Sequence, residues 1–103
     1  MQNDFFIWDD DKALLNLKKH GVSFEEAYTA IIDDFAITHE DDRMEYGEKR
    51  LFSIGMSEQG RILNVVWTQR NNKIRLISAF IATPIRRKLY ETQPKLRHRH
   101  RNR

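Results

Sequence analysis

The feature that most constrains this chain is a pair of sheet-forming runs on either side of Asn71-Asn72. Residues 61–70 (RILNVVWTQR) and 73–82 (KIRLISAFIA) are rich in β-branched and aromatic side chains. Asparagine tolerates the positive φ of a two-residue hairpin turn better than most residues. If Arg70 pairs with Lys73, then Thr68 faces Arg75, Trp67 faces Leu76, Val65 faces Ser78 and Leu63 faces Phe80. Opposed residues share a face of the sheet. One face would carry Trp67, Leu76, Val65, Leu63, Phe80 and Ile74, an apolar surface for helices to cover. The other would carry Arg70, Lys73, Thr68 and Arg75 near the turn, with Val66, Ile77, Ile62 and Ile81 further along. A slip of one residue would exchange the faces, so this arrangement depends on the register.

The remaining elements follow from local signals. Phe5 to Trp8 can form a short first strand, and Asp9 or Asp10 can cap a helix beginning near Lys12. Ala13, Leu14 and Leu17 would be its apolar stripe, Lys18, Lys19 and His20 suit its last turn, and Gly21 suits its end. Ser23 and Glu26 have the spacing of a capping box for a second helix, with Phe24, Ala27, Tyr28 and Ile31 as its buried stripe. Residues 35–39 (FAITH) read as a short strand, 39–48 as an acidic loop, 49–56 as a strand, and Ser57 to Gly60 as a hairpin turn. Thr83 and Pro84 then open a last helix that stops before Pro94. The order β-α-α-β-β-β-β-α predicts an α+β fold, with helices packed on a mostly antiparallel sheet.

Length and composition set bounds on function. A chain of 103 residues is the usual size of one domain, here taken as residues 1–93 followed by a basic, flexible tail at 94–103. There is no cysteine, which excludes a disulfide scaffold and any Cys-ligated metal and fits a reducing compartment. No signal peptide is evident, and no run approaches the ~18 apolar residues of a membrane span, so a cytoplasmic protein with no membrane partner is expected. His39, Glu40, Asp41 and Asp42 match no defined metal motif and read as a solvated acidic loop; no metal and no cofactor is expected. Charge is strongly asymmetric. Residues 1–47 hold 12 acids and four bases, net −8, while residues 48–103 hold three acids and 14 bases, net +11. Positive charge gathered on one half points to a polyanionic partner.

Several positions, in this order and spacing, make the chain similar to a known family. They are Trp8-Asp9, Asn16, Lys19-His20-Gly21-Val22-Ser23-Phe24-Glu25-Glu26-Ala27, Gly55, Gly60-Arg61, Thr68, Arg70, Arg75 to Ala79, Ala82-Thr83 and Tyr90. From about Phe6 to Glu91 the sequence resembles the BrnT ribonuclease toxins of bacterial type II toxin–antitoxin pairs. The resemblance implies a RelE-like fold, metal-independent endoribonuclease activity that inhibits translation, and neutralisation by a BrnA-like antitoxin. The antitoxin's ribbon-helix-helix domain would connect the toxin indirectly to operator DNA. The chain also departs from the family pattern: Phe80 and Ile81 stand where basic residues usually follow Ser-Ala, and Arg86 stands where an acid is usual.

Cleavage of RNA without a metal uses the 2′-hydroxyl as nucleophile. It needs a group to take that proton, cations to stabilise the phosphorane, and a group to protonate the leaving 5′-oxygen. Arginine's planar, permanently charged fork suits the second task. Arg70 and Arg75 are therefore expected as the phosphate clamp, His20 as the proton-transfer group, and Tyr90 as a proton donor or base-stacking ring. Lys19, Arg61, Lys73 and Arg87 are expected to contact RNA. The bland readings are solvated or ion-paired arginines, a histidine that caps a helix, and a core tyrosine. A second reading of the whole chain is a non-catalytic module that binds antitoxin or nucleic acid.

Overall fold

The computed structural model describes residues 1–41 and 47–95. The acidic residues of 42–46, Asp42 among them, and the basic tail beyond Lys95 lie outside the described residues. The elements run β1 (Phe6–Ile7), α1 (Asp10–His20), α2 (Phe24–Ile31), β2 (Ile37–Glu40), β3 (Arg50–Met56), β4 (Ile62–Arg70), β5 (Lys73–Ile81) and α3 (Pro84–Glu91). The five strands form one sheet in the order β1-β5-β4-β3-β2, antiparallel except for the parallel β1–β5 pair.

The local signals act as expected at the helix ends. The Asp9 carboxylate accepts from the Asp11 and Lys12 amides, and Gly21 closes α1 in the left-handed region at φ 68°. Ser23 accepts from the Glu26 amide at 3.0 Å. The capping box is only half formed, because the Glu26 carboxylate turns to Ser57 and Arg61 instead. Asn71 and Asn72 take φ of 51° and 64°, the conformation a tight hairpin needs.

α1 departs from the expected stripe. Leu14 and Leu17 are exposed, as is Leu15, and the buried residue of α1 is Asn16. The reason lies in β5. β1 pairs with β5 only at Ile74 and Arg75, so β5 is an open edge beyond that point. Asn16 fills it: its Nδ2 donates to the Ala79 carbonyl at 2.8 Å and its Oδ1 accepts from the Ala79 amide at 3.0 Å. Nδ2 also donates to the Val22 carbonyl at 2.9 Å, which ties down the α1–α2 turn. One side chain thus satisfies buried backbone groups that would otherwise lack partners.

The register holds as far as Trp67–Leu76 and then shifts. Arg70 pairs with Lys73, Thr68 with Arg75 and Trp67 with Leu76, but Val66 pairs with Ser78, Val65 with Ala79 and Asn64 with Phe80. Ile77 is the extra residue of a β-bulge. Beyond it the expected pairing is wrong by one position. Phe80 and Ser78 turn to the same face as Asn64 and Val66, and Ala79 takes the core position.

Two cores result. On one face, α1 and α2 cover Leu63, Val65, Leu76 and Ala79, with Phe6, Trp8, Val22, Phe24, Ala27 and Ala30. Gly55 lies on this face, and a Cβ there would overlap the backbone carbonyl of Ala30 on α2. On the other face, α3 brings Tyr90 onto Ile54 and Ile62, joined by Ala82 just before the helix, with Phe52 at the margin. None of the described helices is long and apolar enough to cross a membrane.

Candidate nucleic-acid interface

The open end of the second face lies between the α3 cluster and the Asn71-Asn72 turn, and strand register decides what it displays. Arg50 pairs with Thr68, and Thr68 with Arg75, so these residues form one row across three strands. Arg70 and Lys73 form the next row toward the turn. Neighbouring strands lie ~4.8 Å apart and alternate residues ~6.7 Å apart along a strand, so four cations occupy a patch about 10 Å across. Arg75 and Lys73 are half-exposed and make no side-chain hydrogen bond or ion pair among the described residues. Glu48 stands between two of the cations, with its Oε2 3.5 Å from Arg70 Nη2 and its Oε1 3.9 Å from Arg50 Nη2. The Thr68 hydroxyl is buried and donates to the Lys49 carbonyl at 2.6 Å, so it braces the strand.

The next rows away from the turn are Phe52–Val66–Ser78 and Ile54–Asn64–Phe80. Each half-exposed phenylalanine has a histidine ring beside it. His39 on β2 pairs in register with Phe52, and the two ring centroids lie 5.7 Å apart. His20, at the end of α1, lies 5.7 Å from the Phe80 ring. Arg86 reaches down from α3 with its guanidinium 4.1 Å from the Phe52 centroid and Nη1 2.5 Å from Asn64 Oδ1. Asn64 is fully buried, and its Nδ2 has no hydrogen-bond partner among the described residues. An unfilled buried donor costs about 1–3 kcal/mol, so it marks a place where stability is given up. Along the β5 edge, His20 and Lys19 line a shallow groove of about 490 Å³ together with Lys12, Lys18, Ile77 and Ser78.

The structure separates the eight residues singled out in the sequence. Arg70, Lys73 and Arg75 stand together on the open face, and His20 and Lys19 border it at the β5 edge. The other three are elsewhere. Arg61 is held by Glu26: its Nε donates to Oε2 at 2.8 Å, Nη2 donates to Oε1, and Nη2 also reaches the Gly21 carbonyl at 3.1 Å. It pins the β3–β4 hairpin to the α1–α2 turn. Its charge, with Ser57, holds the Glu26 carboxyl below the ordinary range despite burial. Tyr90 is 2% exposed and donates to Asp33 Oδ2 at 2.6 Å. Burial, and then the Asp33 carboxylate, push its phenol well above its ordinary value of 10, so the proton stays on. Tyr90 packs with Ile62, eight residues along β4 from Arg70 or ~26 Å away. Arg87 is exposed and sits 3.4 Å from Glu91 one turn on. Arg61 and Tyr90 therefore hold the fold together, and neither presents its functional group to the open face.

Other members of the face are not evident from the sequence. The place of Arg50 depends on the β3–β4 pairing, and the loop there is Ser57 to Arg61, one residue longer than expected. A turn at 57–60 would have paired Met56 with Arg61 and placed Arg50 opposite Trp67 instead. His39, expected where the 35–39 strand meets the acidic loop, and Glu40, expected within that loop, both lie in β2, while Asp41 is buried. Arg86 stands out in the sequence only as a departure from the family pattern. The signal for its place was the helical spacing from Thr83, which turns Arg86 toward the sheet and Arg87 away.

Comparison with known proteins agrees with this architecture. The family model described as "Ribonuclease toxin, BrnT, of type II toxin-antitoxin system" matches residues 8–84. The 1.1 Å crystal structure of the Brucella abortus ribonuclease toxin BrnT is similar in fold, with a TM-score of 0.58 at 23% identity. The match covers 77% of this chain and 97% of that one. No curated protein matches the chain.

Proposed function

Since the chain belongs to the BrnT family of ribonuclease toxins of type II toxin–antitoxin systems, we propose that it cuts single-stranded RNA on the open face of its sheet, without a metal. The observation that carries this reading is the register that aligns Arg50, Thr68 and Arg75 in one row with Arg70 and Lys73 beside them.

A phosphate over Val66 and Ser78 lies one row from Arg75 and next to Phe52 in register, within reach of the long arginine side chains. The 2′-hydroxyl loses its proton and attacks the adjacent phosphorus. The 5′-oxygen leaves with a proton, and the products carry a 2′,3′-cyclic phosphate and a 5′-hydroxyl. Arg70 and Arg75, with Arg50, stabilise the charge that accumulates on the phosphorane oxygens. His20, at the β5 edge, is the proton-transfer group, because histidine exchanges protons near neutral pH. Lys19 and Lys73 hold flanking phosphates. A BrnA-like antitoxin with a ribbon-helix-helix domain neutralises the toxin by covering this face and links it indirectly to operator DNA. Toxin and antitoxin meet in the cytoplasm.

The test is purified protein, free of partner, with RNA in EDTA. Cleavage is expected, leaving cyclic phosphate ends. Arg70→Ala and Arg75→Ala should each cut the rate by about 10²–10³, the usual loss for one charge-stabilising donor, with the fold intact. Unchanged rates in both variants would refute the site assignment. One observation favours a second reading: Glu48 occupies the space between Arg50 and Arg70. If that acid stays in place, the domain is a non-catalytic module. It would then bind a polyanion with steep salt dependence and cut nothing, and Glu48→Gln should tighten the binding.

A further inference from the structure

We infer that Phe52, His39 and Arg86 form a nucleobase-binding subsite on the open face, and that it prefers guanine. The inference rests on the RNA-cutting reading only for its biological meaning; the binding it predicts can be measured whether or not the protein cleaves.

Three independent features meet at Phe52. Its ring is half-exposed on the open face, one row along from Arg50, while Val66, Asn64, Ile54 and Ile62 beside it toward α3 are buried. The His39 ring lies beside it at a 34° tilt, so two aromatic planes form one shelf that crosses from β2 to β3. The Arg86 guanidinium lies over the Phe52 ring at 4.1 Å. Proteins hold unstacked bases on such shelves of aromatic rings and arginine planes.

Arg86 supplies the discrimination. Nη1 is fixed by Asn64 Oδ1 at 2.5 Å, and Nε and Nη2 make no hydrogen bond among the described residues. Those two donors point the same way in one plane. They match a base edge with two adjacent acceptors, and the O6 and N7 atoms of guanine are such an edge. Adenine has a donor where guanine has O6, and uracil has no two adjacent acceptors; cytosine offers O2 and N3, but its single ring covers less of the aromatic shelf than a purine does. Asn64 acts as a positioning residue: it is fully buried, and by accepting from Nη1 it sets the roll of the fork. The subsite is one register step from the proposed phosphate position over Val66 and Ser78, so a single nucleotide can reach both.

The experiment titrates GMP, AMP, CMP, UMP and ribose 5-phosphate into the full chain and follows the Phe52 and His39 ring signals by NMR. GMP is expected to bind at least tenfold more tightly than AMP, UMP or ribose 5-phosphate, and also more tightly than CMP, and to move both rings. Arg86→Gln should bring GMP down to the level of AMP and UMP without weakening ribose 5-phosphate. Phe52→Leu keeps an apolar side chain beside the α3 cluster and should weaken all four nucleotides, so the test survives if Arg86→Gln fails to fold. Equal binding of GMP and ribose 5-phosphate would overturn the subsite, as would an unchanged order of nucleotides in both variants, or no binding to the wild type. RNA cleavage in EDTA is measured in parallel. Guanine-selective binding without cleavage would sink the nuclease reading and leave the subsite standing; cleavage without base selectivity would do the reverse.

Discussion

Replacing Asn16 with Ala should cost the fold far more than its place on an otherwise exposed helix suggests. The side chain makes three buried hydrogen bonds, to the Val22 carbonyl, the Ala79 carbonyl and the Ala79 amide. Alanine would leave all three backbone groups without a partner at a closed sheet edge. Each such group costs about 1–3 kcal/mol, and partial entry of water would hold the total to about 3–5 kcal/mol. A domain of this size is stable by only about 5–15 kcal/mol. Urea unfolding followed by the fluorescence of Trp8 and Trp67 gives the measurement. With a slope of about 1–3 kcal/mol per molar for a small domain, the midpoint should fall by about 2 M. Asn16→Asp keeps an acceptor for the Ala79 amide but turns a carboxylate toward two carbonyl oxygens, so it should lose at least as much. Leu15→Ala, on the same helix but 65% exposed, should change stability by no more than about 0.5 kcal/mol. If the Asn16→Ala midpoint stays within about 0.3 M of wild type, the strand edge is satisfied in some other way and Asn16 is not what closes it.

Two further stability effects follow from particular contacts. Gly55→Ala places a methyl group on the Ala30 backbone carbonyl, and because backbone cannot swing aside as a side chain does, a loss of about 3 kcal/mol or more is expected in the same urea assay. Glu26 and Arg61 form a partly buried pair, with side-chain exposures of 2% and 37%. Arg61→Ala strands the buried carboxylate and should cost about 3 kcal/mol, at the low end for such pairs because Arg61 is itself partly solvated. The pair also carries a pH signature. The folded Glu26 carboxyl titrates below its ordinary value of 4.5, so its stabilisation is complete above that pH and is lost as pH falls through the lower folded value. Thermal melts between pH 3 and pH 6 should show a steeper acid-side fall in the wild type than in Glu26→Gln, and parallel curves would contradict the assignment.

Much of the fold was legible because the signals were local. Asp9, Gly21, Ser23 and Thr83 each act on backbone groups within a few residues, and all four do what their positions suggest. The Asn71-Asn72 turn sets the register of its nearest pairs directly, so Arg70, Lys73, Thr68 and Arg75 were placed on one face correctly. Errors begin where a signal depends on something distant. The leucines of α1 looked like a buried stripe because apolar spacing carries no record of the open strand edge that called for Asn16 instead. Glu26 looked like a capping residue because its partner Arg61 lies 35 positions away. Tyr90 looked available for chemistry because nothing near it in sequence announces Asp33.

By itself, then, the order of residues determined the number and kind of elements, the tight turns, the charge divided between the two halves, and the family to which those features belong. These depend on interactions that close within one turn or one hairpin. Only the tertiary structure decided which groups join Arg70, Lys73 and Arg75 on the open face. The bulge at Ile77 moves Phe80 and Ser78 onto the open side, the longer β3–β4 loop aligns Arg50 with Arg75, and α3 lays Arg86 over Phe52. Side chains alternate between faces at every residue of a strand, so a single inserted position exchanges inside for outside. Whether one is inserted is settled by how the sheet and helices pack together, and not within any strand alone.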